Sequence, residues 1–159
     1  MKGGRSPARA GLRGLSLVSC AALAVAVALA PPSNGLARPG TIRITDHEIT
    51  HTKVDLGKHG ASAGDLDVGR SLLYNKGITP KPIGHSELLC TATGSQTSNC
   101  SGTYFLPRGR IVAGGIIGSN LIYELAVLGG TGIYDNVRGT LTVTSLGHGQ
   151  NLLVFRLVV

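Results

Sequence analysis

The sequence predicts an all-β domain, an antiparallel barrel of about eight strands. Three observations predict it. Beyond residue 40, no stretch repeats its apolar residues at helical spacing. Short β-branched runs recur instead, roughly every 8–15 residues. Glycine, 24 of the 159 residues, punctuates those runs. The length supports one domain. Charged residues are only 14% of the chain against 42% apolar, which excludes a solvated disordered polymer.

The elements follow in order. Thr41 to Thr45 (TIRIT) alternates apolar and polar residues, and Ile49 to Leu56 continues in the same style. Asp65 to Tyr74 and Ser86 to Thr93 come next, the second ended by Gly94. Ser101 to Leu106 meets Arg110 to Ile117 across Pro107-Arg108-Gly109, a hairpin signal. Leu121 to Leu128 is stopped by Gly129-Gly130-Thr131-Gly132. That element opens no helix, so it reads as a strand-to-turn segment needing positive φ and not as a phosphate cradle. Thr140 to Thr144 alternates with Leu141 and Val143 on one face. Gly147-His148-Gly149-Gln150 then turns the chain into Leu152 to Val159, an almost continuous apolar strand. So apolar a strand is a poor open edge, which favours a closed barrel over a sandwich. At ~8 strands the interior is just wide enough for side chains or one small ligand.

The net charge of +7 points first to nucleic acid, but its location argues otherwise. Lys2, Arg5, Arg9 and Arg13 precede an apolar run of 16 residues, Leu15 to Ala30, with no acid among them. Gly35-Leu36-Ala37 follows as a small-residue cleavage site. A signal peptide over 1–37 and a single barrel domain over 38–159 are therefore expected. The run is shorter than the ~20 residues of a spanning helix, so no stable membrane anchor is expected after cleavage, and the expected location is extracellular. The alternative is a lipoprotein: Leu17-Val18-Ser19-Cys20 reads as a lipobox that would anchor the chain at Cys20. Residues 38–159 carry 11 basic and 8 acidic side chains with no basic cluster among aromatics, so no nucleic-acid partner is expected.

Removal of Cys20 with the leader leaves Cys90 and Cys100, separated by the Thr-, Ser-, Gly- and Asn-rich segment Thr91 to Asn99. That is hairpin-loop chemistry, and in an oxidising compartment it reads as a disulfide between the ends of two strands. The alternatives are a catalytic thiol or a metal ligand. Two cysteines without C-x-x-C spacing are a poor start for zinc.

His47-Glu48-Ile49-Thr50-His51 matches H-E-x-x-H. On a helix the two imidazoles would grip one Zn²⁺ while Glu48 activates its water. Here the motif lies in TIRITDHEITHTKVDL, dense in strand-forming residues. On a strand the imidazoles stand about 13 Å apart and Glu48 points to the other face. A zinc hydrolase is thus the least favoured reading, no metal or cofactor is expected, and His47 and His51 read as solvent-facing.

Gly64-Asp65-Leu66, Leu73-Tyr74, Gly77-Ile78-Thr79, Leu89-Cys90 and Gly129-Gly130-Thr131-Gly132-Ile133-Tyr134, in that order, resemble the allene oxide cyclase barrel family. The glycine-rich element also resembles dirigent proteins. The resemblance runs from about Glu48 to Val159. It implies an eight-stranded antiparallel barrel, usually oligomeric (here a homodimer or homotrimer), whose lumen holds a hydrophobic small molecule. It further implies a lumen glutamate on the first strand, matched by Glu48-Ile49-Thr50 with Thr50 in place of the family's asparagine. The second-strand asparagine falls on Ser71, and the family's lumen cysteine falls on Cys90. Strand register permits the lumen glutamate, since Glu48, Thr50, Thr52, Val54 and Leu56 share a face that becomes apolar along its length. The expected site is therefore Glu48 as catalytic carboxylate, with Thr50, Ser71 and Tyr74 against the ligand. Tyr104, Tyr123 and Tyr134 are further candidates to line the lumen, or else pack the barrel.

Two function classes follow. One is a cofactor-free cyclase or isomerase in which a rigid lumen folds an apolar substrate and Glu48 assists. The other is a dirigent-like binding or guiding protein with no chemistry of its own, or a purely structural barrel.

Overall fold

The computed structural model describes residues 40–75 and 81–158. The expected leader, the Cys20 lipobox and Gly77-Ile78-Thr79 lie outside the described residues. Eight strands form: β1 (Gly40–Val54), β2 (Leu66–Tyr74), β3 (Gly84–Ala92), β4 (Thr97–Leu106), β5 (Gly109–Gly118), β6 (Ile122–Gly132), β7 (Arg138–Gly147) and β8 (Gln150–Val158). Each pairs antiparallel with its neighbours in chain order, and β8 returns to β1 to close the barrel. The two short runs expected at the start merge into the single long β1.

Alternation decides what enters the barrel. Ile44 on β1, Leu73 on β2, Ile111 on β5, Leu141 on β7, and Leu153 and Phe155 on β8 are fully buried. With Leu125, Val127 and Val143 they fill the lower part of the lumen. Each such side chain contributes about 1.5–3 kcal/mol of burial. The Tyr104 ring meets the Phe155 ring edge-on, 5.1 Å between centroids and 82° between planes. We call the end carrying the β1–β2, β3–β4, β5–β6 and β7–β8 connections the upper end.

Three register breaks interrupt this regularity, one of them at Leu146 on β7, where Ser145 pairs with Asn151 and Gly147 with Gln150. On β1, Glu48 pairs with Ser71 but Thr50 pairs with Arg70, so Ile49 is an extra residue, a bulge. On β6, Gly129 pairs with Val112 and Val127 with Ala113, which leaves Leu128 bulged. The glycine-rich segment after it stays in the strand as far as Gly132, where the sequence reading ended the strand at Leu128. Only Gly132 within that segment has positive φ, at 66°. Gly130 answers to space: a Cβ there would stand 2.4 Å from the Tyr134 carbonyl oxygen.

The Gly-Asp-Leu element closes the long β1–β2 loop. Asp65 accepts hydrogen bonds from the Leu56 amide at 2.9 Å and the Ser62 amide at 2.7 Å. Those donors, the Leu56 amide first, hold its carboxyl below the usual aspartate range. The Gly64 amide donates to the Ala92 carbonyl, and the Ala92 amide donates to the Asp65 carbonyl, pinning the loop to β3. Cys90 and Cys100 stand directly opposite each other on β3 and β4 and form a disulfide.

Candidate functional site

A cavity of about 230 Å³ occupies the lumen above the apolar plug. Asp46, Glu48, Ser71, Ser86, Leu88, Tyr104, Tyr123, Val143, Asn151 and Leu153 contribute to its wall. The strand register explains the set. Glu48 pairs with Ser71, Ser71 with Ser86, and Ser86 with Tyr104, so one polar row crosses β1 to β4. Asp46, one inward position below Glu48, pairs with Asn151 on β8.

Asp46 is the buried carboxylate of the site, 6% exposed. Burial raises its pKa, while hydrogen bonds from Asn151 and then Ser71 oppose the rise, and the nearby Glu48 charge adds to it. The Asn151 amide nitrogen donates to Asp46 Oδ1 at 2.7 Å. Asp46 therefore takes up a proton more readily than a solvated aspartate does. Tyr104 is 5% exposed, and burial first, then Tyr123 and Asp46, pushes its phenol up. Tyr123 is half-buried and shifted the same way, by burial and then by Asp46. The Tyr104 hydroxyl has no hydrogen-bond partner among the described residues. It leans over Gly102, where a Cβ would stand 3.3 Å from it.

The residues expected from the sequence distribute as follows. Glu48 lines the cavity, but its side chain is 41% exposed, nearer the upper end than Asp46. Ser71 is buried in the wall beside Asp46. Thr50 is on the outer wall instead, because the Ile49 bulge pairs it with the outward Arg70 and reverses the alternation. Tyr74 is buried but off the lumen, since Leu73 holds the inward position on β2. Tyr134 lies below, packed against the apolar core. Cys90 is held in the disulfide and offers no free thiol.

The same bulge revises the H-E-x-x-H reading. His47, before it, pairs with Leu72 on the outer wall, and its Nδ1 is buried without a hydrogen-bond partner. His51, after it, turns to the inner side with Glu48. Its Nδ1 is 3.4 Å from Glu48 Oε1, and its Nε2 hydrogen-bonds Asp67. The two imidazoles thus point to opposite faces and share no ion. Among the described residues, no group of three or more His, Cys, Asp or Glu side chains is arranged to hold a metal.

Sequence reasoning passed over Asp46, Ser86 and Asn151. Part of a signal for Asp46 was present: Ile42, Ile44, Asp46 and Glu48 follow the inward phase of β1, which places both acids on the core face without saying which is buried.

No protein-family model matches this chain, and no curated protein does. Solved structures do. A pyocyanin demethylase superposes with a TM-score of 0.67 at 27% identity, covering 75% of this chain and 100% of that one. A pterocarpan synthase dirigent protein gives 0.61 at 14% identity over 77% of this chain and 84% of its own. The Diels Alderase AbmU from Streptomyces koyangensis gives 0.60 at 15% identity, over 74% of this chain and 63% of its own. The chain is a closed eight-stranded antiparallel barrel, the fold type it shares with these structures. Within that type its architecture is compatible with a small molecule in the lumen.

Proposed function

We propose that this protein binds a small, largely apolar molecule in its lumen and catalyses a cofactor-free proton-transfer reaction on it, an isomerisation or ring closure. Asp46 is the acid–base group in this reading. It takes a proton from one position of the substrate and returns it at another, so no external oxidant or reductant is consumed. Glu48 assists from the upper side. Ser71 and Asn151 hold the Asp46 carboxylate in place, and Tyr104 and Ser86 orient the substrate. The observation that carries the reading is the buried Asp46 carboxylate in the wall of a 230 Å³ cavity beside an unpartnered phenol. A buried carboxylate whose pKa is raised by its surroundings, set in the wall of a cavity, marks a candidate functional site.

A dirigent-like guiding role uses the same cavity with no proton transfer, and fold neighbours that are dirigent proteins favour keeping it as the second reading. The neighbour at 27% identity makes small aromatic compounds a sensible first class to offer the lumen. Export under a 1–37 signal peptide, with release from the cell, is part of this proposal, and the disulfide supports it. So is a homodimer or homotrimer, for which Val68, Leu89, Ile116 and Leu128 stand exposed for burial.

The test is a ligand screen read by the methyl NMR signals of Val143 and Leu153, followed by turnover of each binder. A binder that is converted by the wild type and bound but not converted by Asp46→Asn supports the enzyme. Conversion unchanged in Asp46→Asn leaves the guiding role. A screen in which no compound moves those signals sinks both.

A further inference from the structure

We propose that the lumen selects a cation, a small organic molecule carrying a permanent or protonated positive charge. The proposal rests on the small-molecule reading above and assigns the charge class of that ligand.

The cavity wall includes Asp46, Glu48 and Glu87 but no lysine or arginine. By register Asp46 and Glu48 point inward, whereas Glu87 alternates with the inward Ser86 and Leu88 and faces out. The hydrogen-bond partners of Asp46 are the neutral Asn151 and Ser71, and the one cationic group that acts on its charge is His47, on the outer wall, the weakest of the influences on it. Such a carboxylate is under-compensated in a site poor in water. The cationic groups of the described barrel are engaged or located elsewhere. His51 is held between Glu48 and Asp67 above the cavity, and Lys53 lies further up beside Asp55, Asp65 and Asp67. Arg156 donates to Thr142 and approaches Glu124 at 4.0 Å, and Arg110 stacks over Phe105. An anion would thus meet two carboxylates and no fixed positive charge.

A second observation is independent of the acids. The Tyr104 hydroxyl, on a side chain 95% buried, is aimed into the cavity without a partner. It offers an acceptor to an ammonium or ring N–H, and the rings of Tyr104 and Tyr123 present π faces that attract cations. The volume sets the size. At ~20–30 Å³ per non-hydrogen atom, 230 Å³ takes about ten such atoms.

Three probes of that size separate charge from shape: phenyltrimethylammonium, its neutral isostere tert-butylbenzene, and benzenesulfonate. Each is titrated into the oxidised protein, with binding read by the Val143 and Leu153 methyl signals. The cation should bind roughly tenfold more tightly than tert-butylbenzene at low salt, and benzenesulfonate should bind weakest. That preference should shrink as salt rises and fall about threefold in Glu48→Gln. Equal binding of cation and isostere, or tighter binding of benzenesulfonate, overturns the charge class and leaves the small-molecule reading standing. Cation binding that moves only the amides of Asp55 and Asp65 places it on the surface loop and also overturns the proposal. Failure of all three probes to reach the lumen overturns the proposal together with the reading beneath it.

Discussion

Asn151 donates to Asp46 across the seam where the last strand meets the first, 2.7 Å apart in space and 105 residues apart in sequence. One hydrogen bond therefore serves two ends: it holds the carboxylate of the site and joins β8 to β1. Asn151→Ala should destabilise the fold by about 1.5–3 kcal/mol, the range for hydrogen bonds to charged groups. It should also raise the Asp46 pKa further, because a donor to the charged form is lost. Urea unfolding measures the first effect and a carboxyl NMR titration the second.

The Asp46 shift has a definite sign in stability. Its pKa is raised in the folded protein, so the folded state binds the proton more tightly than the unfolded chain. Stability through this residue is gained as pH falls through the raised native pKa and is complete below the ordinary value of 3.8. Asp46→Asn should raise the melting temperature at pH 7 and flatten the profile on the acid side, as removal of a strained functional group often does. Thermal melts between pH 4 and pH 8 check it.

Asp65 runs the other way. Its pKa is lowered by amide donors, so its contribution is present above 3.8 and is lost as pH falls through the native value. Asp65→Asn should lower the melting temperature at neutral pH, and its deficit against the wild type should vanish in strong acid. The same melts, extended down to about pH 2, read this prediction with opposite sign.

The disulfide clamps a short hairpin. Replacing Cys90 and Cys100 together by alanine should cost roughly 2–3 kcal/mol in the chain-entropy account. The barrel should remain folded, since the β3–β4 ladder continues on both sides of the pair, from His85–Phe105 to Ala92–Ser98. Denaturant unfolding of the oxidised protein and the double variant gives the difference.

Phe155 supports the site from below through its edge-on contact with Tyr104. Phe155→Ala should cost about 3–5 kcal/mol and let the Tyr104 ring drop. Ligand affinity would then fall beyond what the stability loss explains, which calorimetric titration of any lumen binder would register.

The architecture was legible because it rests on alternation and punctuation. Leu141 and Val143, and the apolar run from Leu152, state which face is inward without reference to the rest of the chain. The site was legible only as far as the first irregularity. Read as an unbroken strand, β1 carries Thr50 inside and His51 outside; the bulge at Ile49 exchanges them. No glycine or proline marks that bulge, so the local sequence gives no sign of it. It becomes visible only in the pairing with β2. Asp46 was hidden for a different reason. Its partner Asn151 stands on the far strand, and whether an acid on an apolar face is a rim charge or a buried group depends on that distant partner. Tyr74 shows the converse: an aromatic residue beside an inward leucine is buried without touching the lumen.

Closure of β8 onto β1 also bears on how the chain is made. A ribosome delivers β1 first and β8 last, so β1 waits through about a hundred residues of synthesis before its second partner exists. Throughout that interval the nascent sheet has two bare margins, and Asp46 lies on one of them without the amide of Asn151. A transcript truncated before Gln150 would yield a protein permanently in that condition, with the inward faces of β1 and β7 offered to any other chain nearby. The final nine-residue strand therefore decides whether the sheet closes on itself or keeps two margins open to aggregation.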